Sequence, residues 1–183
     1  MDPWPSHIRI FRGRGWRSCG NGLSFDLMGT RISNLIGPHH VLALKPGLSK
    51  LEAIQAMAST LSQADGLDNL DEIIRRVVRR EDQVSTGIGA GVAIPHCTIS
   101  GIDRPHVLFA TCPEGIDFDS VDGAPVQIFF LVLAPEGRPS VYLKLLARIS
   151  RLVNSPDFRM QLISTQDPNR LAEILSKEDQ RHP

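Results

Sequence analysis

Cysteine is scarce in this sequence. The three thiols, Cys19, Cys97 and Cys112, are odd in number and carry no CxxC spacing, so neither a disulfide framework nor a zinc knuckle is expected. Long apolar runs are missing too: the longest, Ile128 to Ala134, falls far short of the roughly 18 residues that a membrane-spanning helix needs. No apolar signal-peptide core stands near the N-terminus. The expectation is a cytoplasmic protein with reduced thiols and no membrane insertion. An excess of one charge is also absent, because 20 basic residues balance 20 acidic ones. That balance argues against nucleic acid or an anionic membrane as the general partner.

What is present suffices for one domain. With 183 residues, 42% of them hydrophobic, the chain can bury a sizeable core but is too short for two ordinary domains. Residues 1–28 differ from the rest: Arg9, Arg12, Arg14 and Arg17 outnumber Asp2 and Asp26, and both tryptophans, Trp4 and Trp16, lie there. They show no sustained helix or strand period, so a disordered N-terminal tail is expected, followed by a domain over 29–183.

From Thr30 onward elements alternate. Val41 to Leu44 reads as a short strand. Ser49 and Glu52 form a capping box for a helix carrying Leu51, Ile54, Met57, Ala58 and Leu61, with Gly66 after its end. A second helix is predicted from about Asn69, with Ile73, Ile74, Val77 and Val78 inward. Arg75, Arg76, Arg79 and Arg80 gather late in it, where cations suit the helix dipole. Val92 to Ile94, Val107 to Thr111 and Ile128 to Leu133 read as strands, the last continuous enough for a sheet covered on both faces. Ser140 is expected to cap a helix carrying Leu143, Leu146, Ala147, Ile149, Leu152 and Val153. Two more helices follow over Ser155 to Ile163 and Pro168 to Leu175. The fold class is therefore α/β, with a mixed, partly parallel sheet of about five strands sandwiched between helices.

The stretch STGIGAGVAIPH, Ser85 to His96, carries the chemistry. Gly87, Gly89 and Gly91 open conformations closed to other residues and let amides approach an anion. They also suit a tight connection between a helix and a strand. The Rossmann and Walker patterns fail, since Val92 stands where the former wants glycine and no Gly-Lys-Ser/Thr is present. His96 ends a predicted strand after a proline, and a histidine can be neutral and nucleophilic at cell pH. Ser85 and Thr86 offer hydroxyls and Arg80 a fixed charge for a phosphoryl oxygen. A metal site from His96, Cys97, His106 and Cys112 lacks ligand spacing, and strand neighbours His96 and Cys97 are expected to face opposite ways. His39 and His40 read as loop residues. A Ser85/His96/Asp103 hydrolase lacks a GxSxG elbow.

REDQVSTGIGAGVAIPH, Arg80 to His96, resembles the phosphorylation-site signature of the fructose/mannitol-type IIA proteins of the bacterial phosphoenolpyruvate-dependent phosphotransferase system. FDSVDGAPVQIFFLVLAPEG, Phe118 to Gly137, and YLKLLARISRLV, Tyr142 to Val153, are similar to that family's central strand and following helix. The resemblance spans roughly residues 30 to 178. It implies that His96 accepts a phosphoryl group from the histidine phosphocarrier protein and passes it to a IIB domain. In the nitrogen-related branch, it implies instead that phosphorylation switches contacts with a regulatory target. Arg80 matches the arginine beside the phosphorylated histidine, and Ser85, Thr86, Gly87 and Gly89 match the phosphate-side loop. No metal, nucleotide or other cofactor is implied. The family commonly has a second histidine where Tyr142 stands, in an HLKLLA-like context. A tyrosine cannot become imidazolium, which disfavours onward transfer to a sugar-specific IIB and favours the regulatory branch, with sugar uptake as the alternative.

Overall fold

The computed structural model describes residues 31–181, so the expected tail over 1–28 lies outside the described residues. After two 3-10 turns at Ile32–Asn34 and Pro38–His40 come strand β1 (Val41–Ala43) and helices α1 (Lys50–Asp65) and α2 (Leu70–Glu81). Strands β2 (Gly87–Gly89), β3 (Val92–Ala93), β4 (His96–Ile99), β5 (His106–Ile116) and β6 (Val126–Pro135) follow, then α3 (Pro139–Leu152), α4 (Pro156–Ser164) and α5 (Pro168–Arg181).

The sheet is mixed, with order β1-β5-β6-β3-β2 and β4 also paired to β6. The long β5 and β6 run antiparallel at its centre, β1 is parallel to β5, and β3 and β4 are parallel to successive stretches of β6. Side chains on the central strands alternate between two cores. Leu108, Ala110, Phe129, Leu131 and Leu133 meet Ile54, Met57, Leu61, Ile73 and Val77 of α1 and α2. Val107, Phe109, Ile128, Phe130 and Val132 meet Leu145, Ile149, Phe158, Leu162, Leu171 and Leu175 of α3, α4 and α5. With both faces covered, every position of a central strand must be apolar, and the unbroken run from Ile128 follows.

Four of the six strands match those read individually from the sequence. The other two are β2, whose glycines disguise it, and β4, separated from β3 by Pro95. That proline lacks an amide hydrogen but its carbonyl accepts from Val132 at 2.9 Å, so pairing with β6 resumes immediately beyond it. The Ser49 cap forms as read: its hydroxyl accepts from the Glu52 amide at 3.3 Å and Glu52 Oε2 from the Ser49 amide at 2.8 Å. Ser140 does not cap α3. Arg138 precedes the helix and Pro139 opens it, because proline at the first position fixes φ without losing an intrahelical bond. Leu51, Leu143 and Ala147 face outward, and Leu145 takes the buried place on α3.

His40 is no free loop residue. Its Nδ1 accepts from the Gly37 amide at 3.1 Å, so its Nε2–H donates to Asp65 Oδ1 at 3.0 Å, and His106 Nδ1 donates to Asp65 Oδ2 at 2.7 Å. The segment before β1, the end of α1 and the start of β5 are joined at one carboxylate. Burial alone would raise the Asp65 carboxyl, but the bonds from His106 and His40 outweigh it and hold it well below the ordinary carboxylate range. Asp65→Asn removes an acceptor and is expected to cost about 1–3 kcal/mol in urea unfolding at neutral pH. A depressed carboxyl stabilises the fold above its unfolded pKa, so the gap to wild type should close as the pH falls below about 4.

Candidate functional site

Three elements converge on His96. It opens β4 opposite Val132 of β6, so its ring lies on the α3 side of the sheet, and it is 8% exposed. Tyr142, in the first turn of α3, meets it edge-on, with ring centroids 5.3 Å apart at 63°. Arg80, at the end of α2, donates to the Val84 carbonyl at 2.9 Å, and its positive charge reaches the Tyr142 phenol.

The ring's tautomer follows from its short contact with the chain. His96 Nδ1 lies 2.6 Å from the Ile94 carbonyl oxygen. A carbonyl only accepts, so Nδ1 carries the proton and Nε2 the lone pair. Burial pushes the imidazole below its ordinary pKa; the Ile94 carbonyl opposes that shift, the nearby Arg80 charge adds to it and Glu81 opposes it. The imidazole is thus neutral at pH 7, with a nucleophilic Nε2. Burial also raises the Tyr142 phenol against the pull of Arg80, keeping it a neutral hydrogen-bonding group.

The glycine stretch is a hairpin. Gly89 pairs with Val92 across a turn at Ala90 (φ 53°) and Gly91 (φ 75°), positive at both residues as a tight two-residue hairpin requires. The Asp122 carboxylate supports it by accepting from the Ala90 amide at 2.8 Å. Gly87 is needed for proximity: a Cβ there would stand 2.8 Å from Ser120 Cα, where the Val121 amide donates to the Gly87 carbonyl at 3.1 Å. The hydroxyls of the segment turn inward. Ser85 Oγ donates to the Phe118 carbonyl at 2.8 Å and accepts from the Gly87 amide at 3.1 Å, while Thr86 Oγ donates to Glu81 Oε2 at 2.5 Å.

The structure therefore brings Arg80 and Tyr142 to His96, and puts Ser85, Thr86, Gly87 and Gly89 in the adjoining hairpin and its approach. The other arginines turn elsewhere. Arg75 and Arg76 engage Glu72, and Arg76 also donates to the Thr98 carbonyl at 3.0 Å. No group of three or more metal-ligating side chains forms among the described residues. Cys97 sits in the opposite core from Tyr142, its thiol pushed up to about 12 by burial. The hydrolase arrangement is not assembled either, since Ser85 and His96 both donate to backbone carbonyls. Sequence reasoning missed the Ile94 carbonyl, Asp122 and the buried Glu81 with its partner Lys50. Glu81 stood inside the signature; nothing near Lys50 in sequence marks it.

A family model described as phosphoenolpyruvate-dependent sugar phosphotransferase system, EIIA 2, matches residues 34–178. A nitrogen regulatory protein of Bradyrhizobium diazoefficiens is 35% identical over 79% of this chain and 94% of its own length. The fructose-specific EIIABC component of Bacillus subtilis is 30% identical over 81% of this chain, which spans 24% of that longer protein. Among solved structures, the nitrogen regulatory protein IIA-Ntr of Neisseria meningitidis superposes with a TM-score of 0.71 at 26% identity, covering 79% of this chain and 98% of that one. The enzyme IIA of mannitol from Escherichia coli, in complex with phosphorylated IIB, shares the fold at a TM-score of 0.64 and 18% identity, covering 78% and 97%. No helix among the described residues is long and apolar enough to cross a membrane. Signature, sheet and matched length agree, and the chain belongs to the EIIA 2 family of the phosphoenolpyruvate-dependent sugar phosphotransferase system.

Proposed function

We propose that this protein carries a phosphoryl group on His96, accepts it from the histidine phosphocarrier protein, and acts as a regulator linked to nitrogen or general metabolism. The observation that supports acceptance most strongly is the bond from Nδ1 to the Ile94 carbonyl, which leaves the Nε2 lone pair on a buried, neutral ring. In the transfer, that lone pair forms the new phosphorus–nitrogen bond as the bond to the donor imidazole breaks, and the electron pair returns to the donor nitrogen. The His96 ring becomes positive, and the Ile94 carbonyl still accepts its Nδ1–H. Arg80 is assigned to the phosphoryl oxygens, with the Tyr142 phenol beside the ring adding a neutral donor. Ser85, Thr86, Gly87 and Gly89 shape the hairpin on the phosphate side.

The regulatory role is supported by Tyr142 and by full-length similarity to nitrogen regulatory proteins. A phosphoryl group adds about −2 charge beside Arg80 and Tyr142, enough to change which protein surface docks there. Passage of the group to a IIB domain is the second reading, favoured by the fructose-specific relative and by the IIB complex of the mannitol enzyme. Intact-protein mass after incubation with phosphoenolpyruvate, enzyme I and the phosphocarrier tests acceptance. One acid-labile phosphoryl group is expected, and no gain with active upstream proteins would refute it. Rapid discharge to a IIB domain would favour the sugar-uptake reading over the regulatory one.

A further inference from the structure

Beside the approach to the hairpin lies a charged pair, Glu81 buried and Lys50 half-buried, that the transfer step does not itself use. Glu81 is 4% exposed. Its Oε1 accepts from the Thr86 amide at 2.9 Å, beside the Oε2 contact with the Thr86 hydroxyl. Lys50, the first residue of α1, places Nζ 2.9 Å from Glu81 Oε1, 3.1 Å from Asp119 Oδ2 and 4.9 Å from the centre of the Phe118 ring. The start of α1, the end of α2, the approach to β2 and the 117–119 connection all meet at this ammonium. Burial alone would lower its pKa, but the bonds to Glu81 and Asp119 outweigh that and keep it charged.

Resting on the reading of His96 as the phosphoryl acceptor, we infer that Lys50 and Glu81 are paired positioning residues. Glu81 clamps Thr86 to the last turn of α2 and so sets Arg80, while Lys50 offsets much of the Glu81 charge felt at the imidazole. The charged and titratable groups facing His96 are Arg80 and Glu81 from α2 and Tyr142 from α3; Cys97, next to it on β4, turns to the other face. Arg80 disfavours the imidazolium and Glu81 favours it. A Glu81 carboxylate stripped of Lys50 is uncompensated in a poorly solvated site, where its field extends further than in water. The balance then tips towards imidazolium, which has no lone pair at Nε2.

The test compares Lys50→Met, Lys50→Arg and the double variant Lys50→Met with Glu81→Gln. Two readouts are used: the NMR titration of the His96 ring, which needs no phosphoryl donor, and the initial rate of phosphorylation against pH. Lys50→Met is expected to raise the His96 midpoint by about half to one pH unit. The acid fall-off of acceptance should then move up by the same half to one pH unit, with the rate recovering towards wild type in alkali. Lys50→Arg should keep the wild-type midpoint, and the double variant should return to it. A folded Lys50→Met with an unmoved midpoint, or a double variant that keeps the shift, overturns the inference. Should Lys50→Met fail to fold, Glu81→Gln with and without Lys50→Met decides, since a midpoint lower in the single variant than in the double supports the pair and equal midpoints refute it. If the midpoints move as expected but wild type accepts no phosphoryl group, the phosphohistidine reading fails and the electrostatic pairing stands.

Discussion

Replacing His96 with alanine is expected to abolish phosphoryl acceptance while leaving the fold intact. No neighbouring group can substitute: the Cys97 thiol is buried in the other core, the His106 ring is bonded to Asp65, and the Tyr142 phenol stays neutral. Loss of the nucleophile removes the covalent intermediate itself, so intact mass after full incubation should equal the untreated value. A variant labelled as well as wild type would show that another residue carries the group. The stability comparison has a definite sign. Because burial, first of all, depresses the folded pKa of His96, the unfolded chain binds its proton more readily, and wild type loses stability as the pH falls through about 6.5. The alanine variant lacks that loss. Urea midpoints of the two proteins at pH 7.5 and 5.5 should therefore move in favour of the variant at the lower pH. For the same reason, wild-type acceptance should hold its plateau at pH values near 6.5, where an ordinary histidine is half protonated.

Arg80→Ala should produce the second largest effect, slowing acceptance by about 10²–10³-fold, the scale reported for loss of one preorganised charge-stabilising donor. Two changes act together. The guanidinium beside the ring is lost from the charge developing on the phosphoryl oxygens, and His96 becomes easier to protonate because Arg80 opposes its imidazolium. The pH profile separates them: the protonation part disappears above about pH 8, and the loss of stabilisation does not. Arg80→Lys should recover the protonation part but only some of the rate, because an ammonium lacks the planar fork that can bond the Val84 carbonyl and a phosphoryl oxygen together. Single-turnover rates across pH for the three proteins check this. An alanine variant within threefold of wild type at every pH would remove Arg80 from the site. Tyr142 is the chain's one tyrosine, so its ring resonances report directly whether the substitution has moved it.

Much of this was legible in the residues, for identifiable reasons. Capping at Ser49, the inward faces of Ile54, Met57, Ile73 and Val77, and the run through β6 are local patterns that tertiary packing reinforces. The site was legible because Arg80 to His96 is one contiguous segment, and Tyr142 because it broke an otherwise familiar pattern. What was hidden depends on contacts distant in sequence. Strand β2 is two glycines around one isoleucine, and only its pairing with β3 and its approach to Ser120 make it a strand. Lys50 lies in the first turn of a helix, where nothing in sequence reveals that it reaches a carboxylate at the end of the next helix. The His40–Asp65–His106 junction joins three elements through side chains whose positions show no shared period.

The outer strands carry one more consequence. Although β5 and β6 span His106–Ile116 and Val126–Pro135, the flanking β1 and β2 are 3 residues each, and the Thr98 carbonyl of β4 is taken by Arg76. Little ladder is left open for another polypeptide to extend, which protects such a protein from edge-to-edge aggregation. Any protein that docked at the proposed site would then be recognised by side chains, through the helix ends and loops that ring His96, and not by lending a strand. Association of that kind leaves the hydrogen bonds of the sheet untouched, so a partner can be engaged and released repeatedly without the core being reopened.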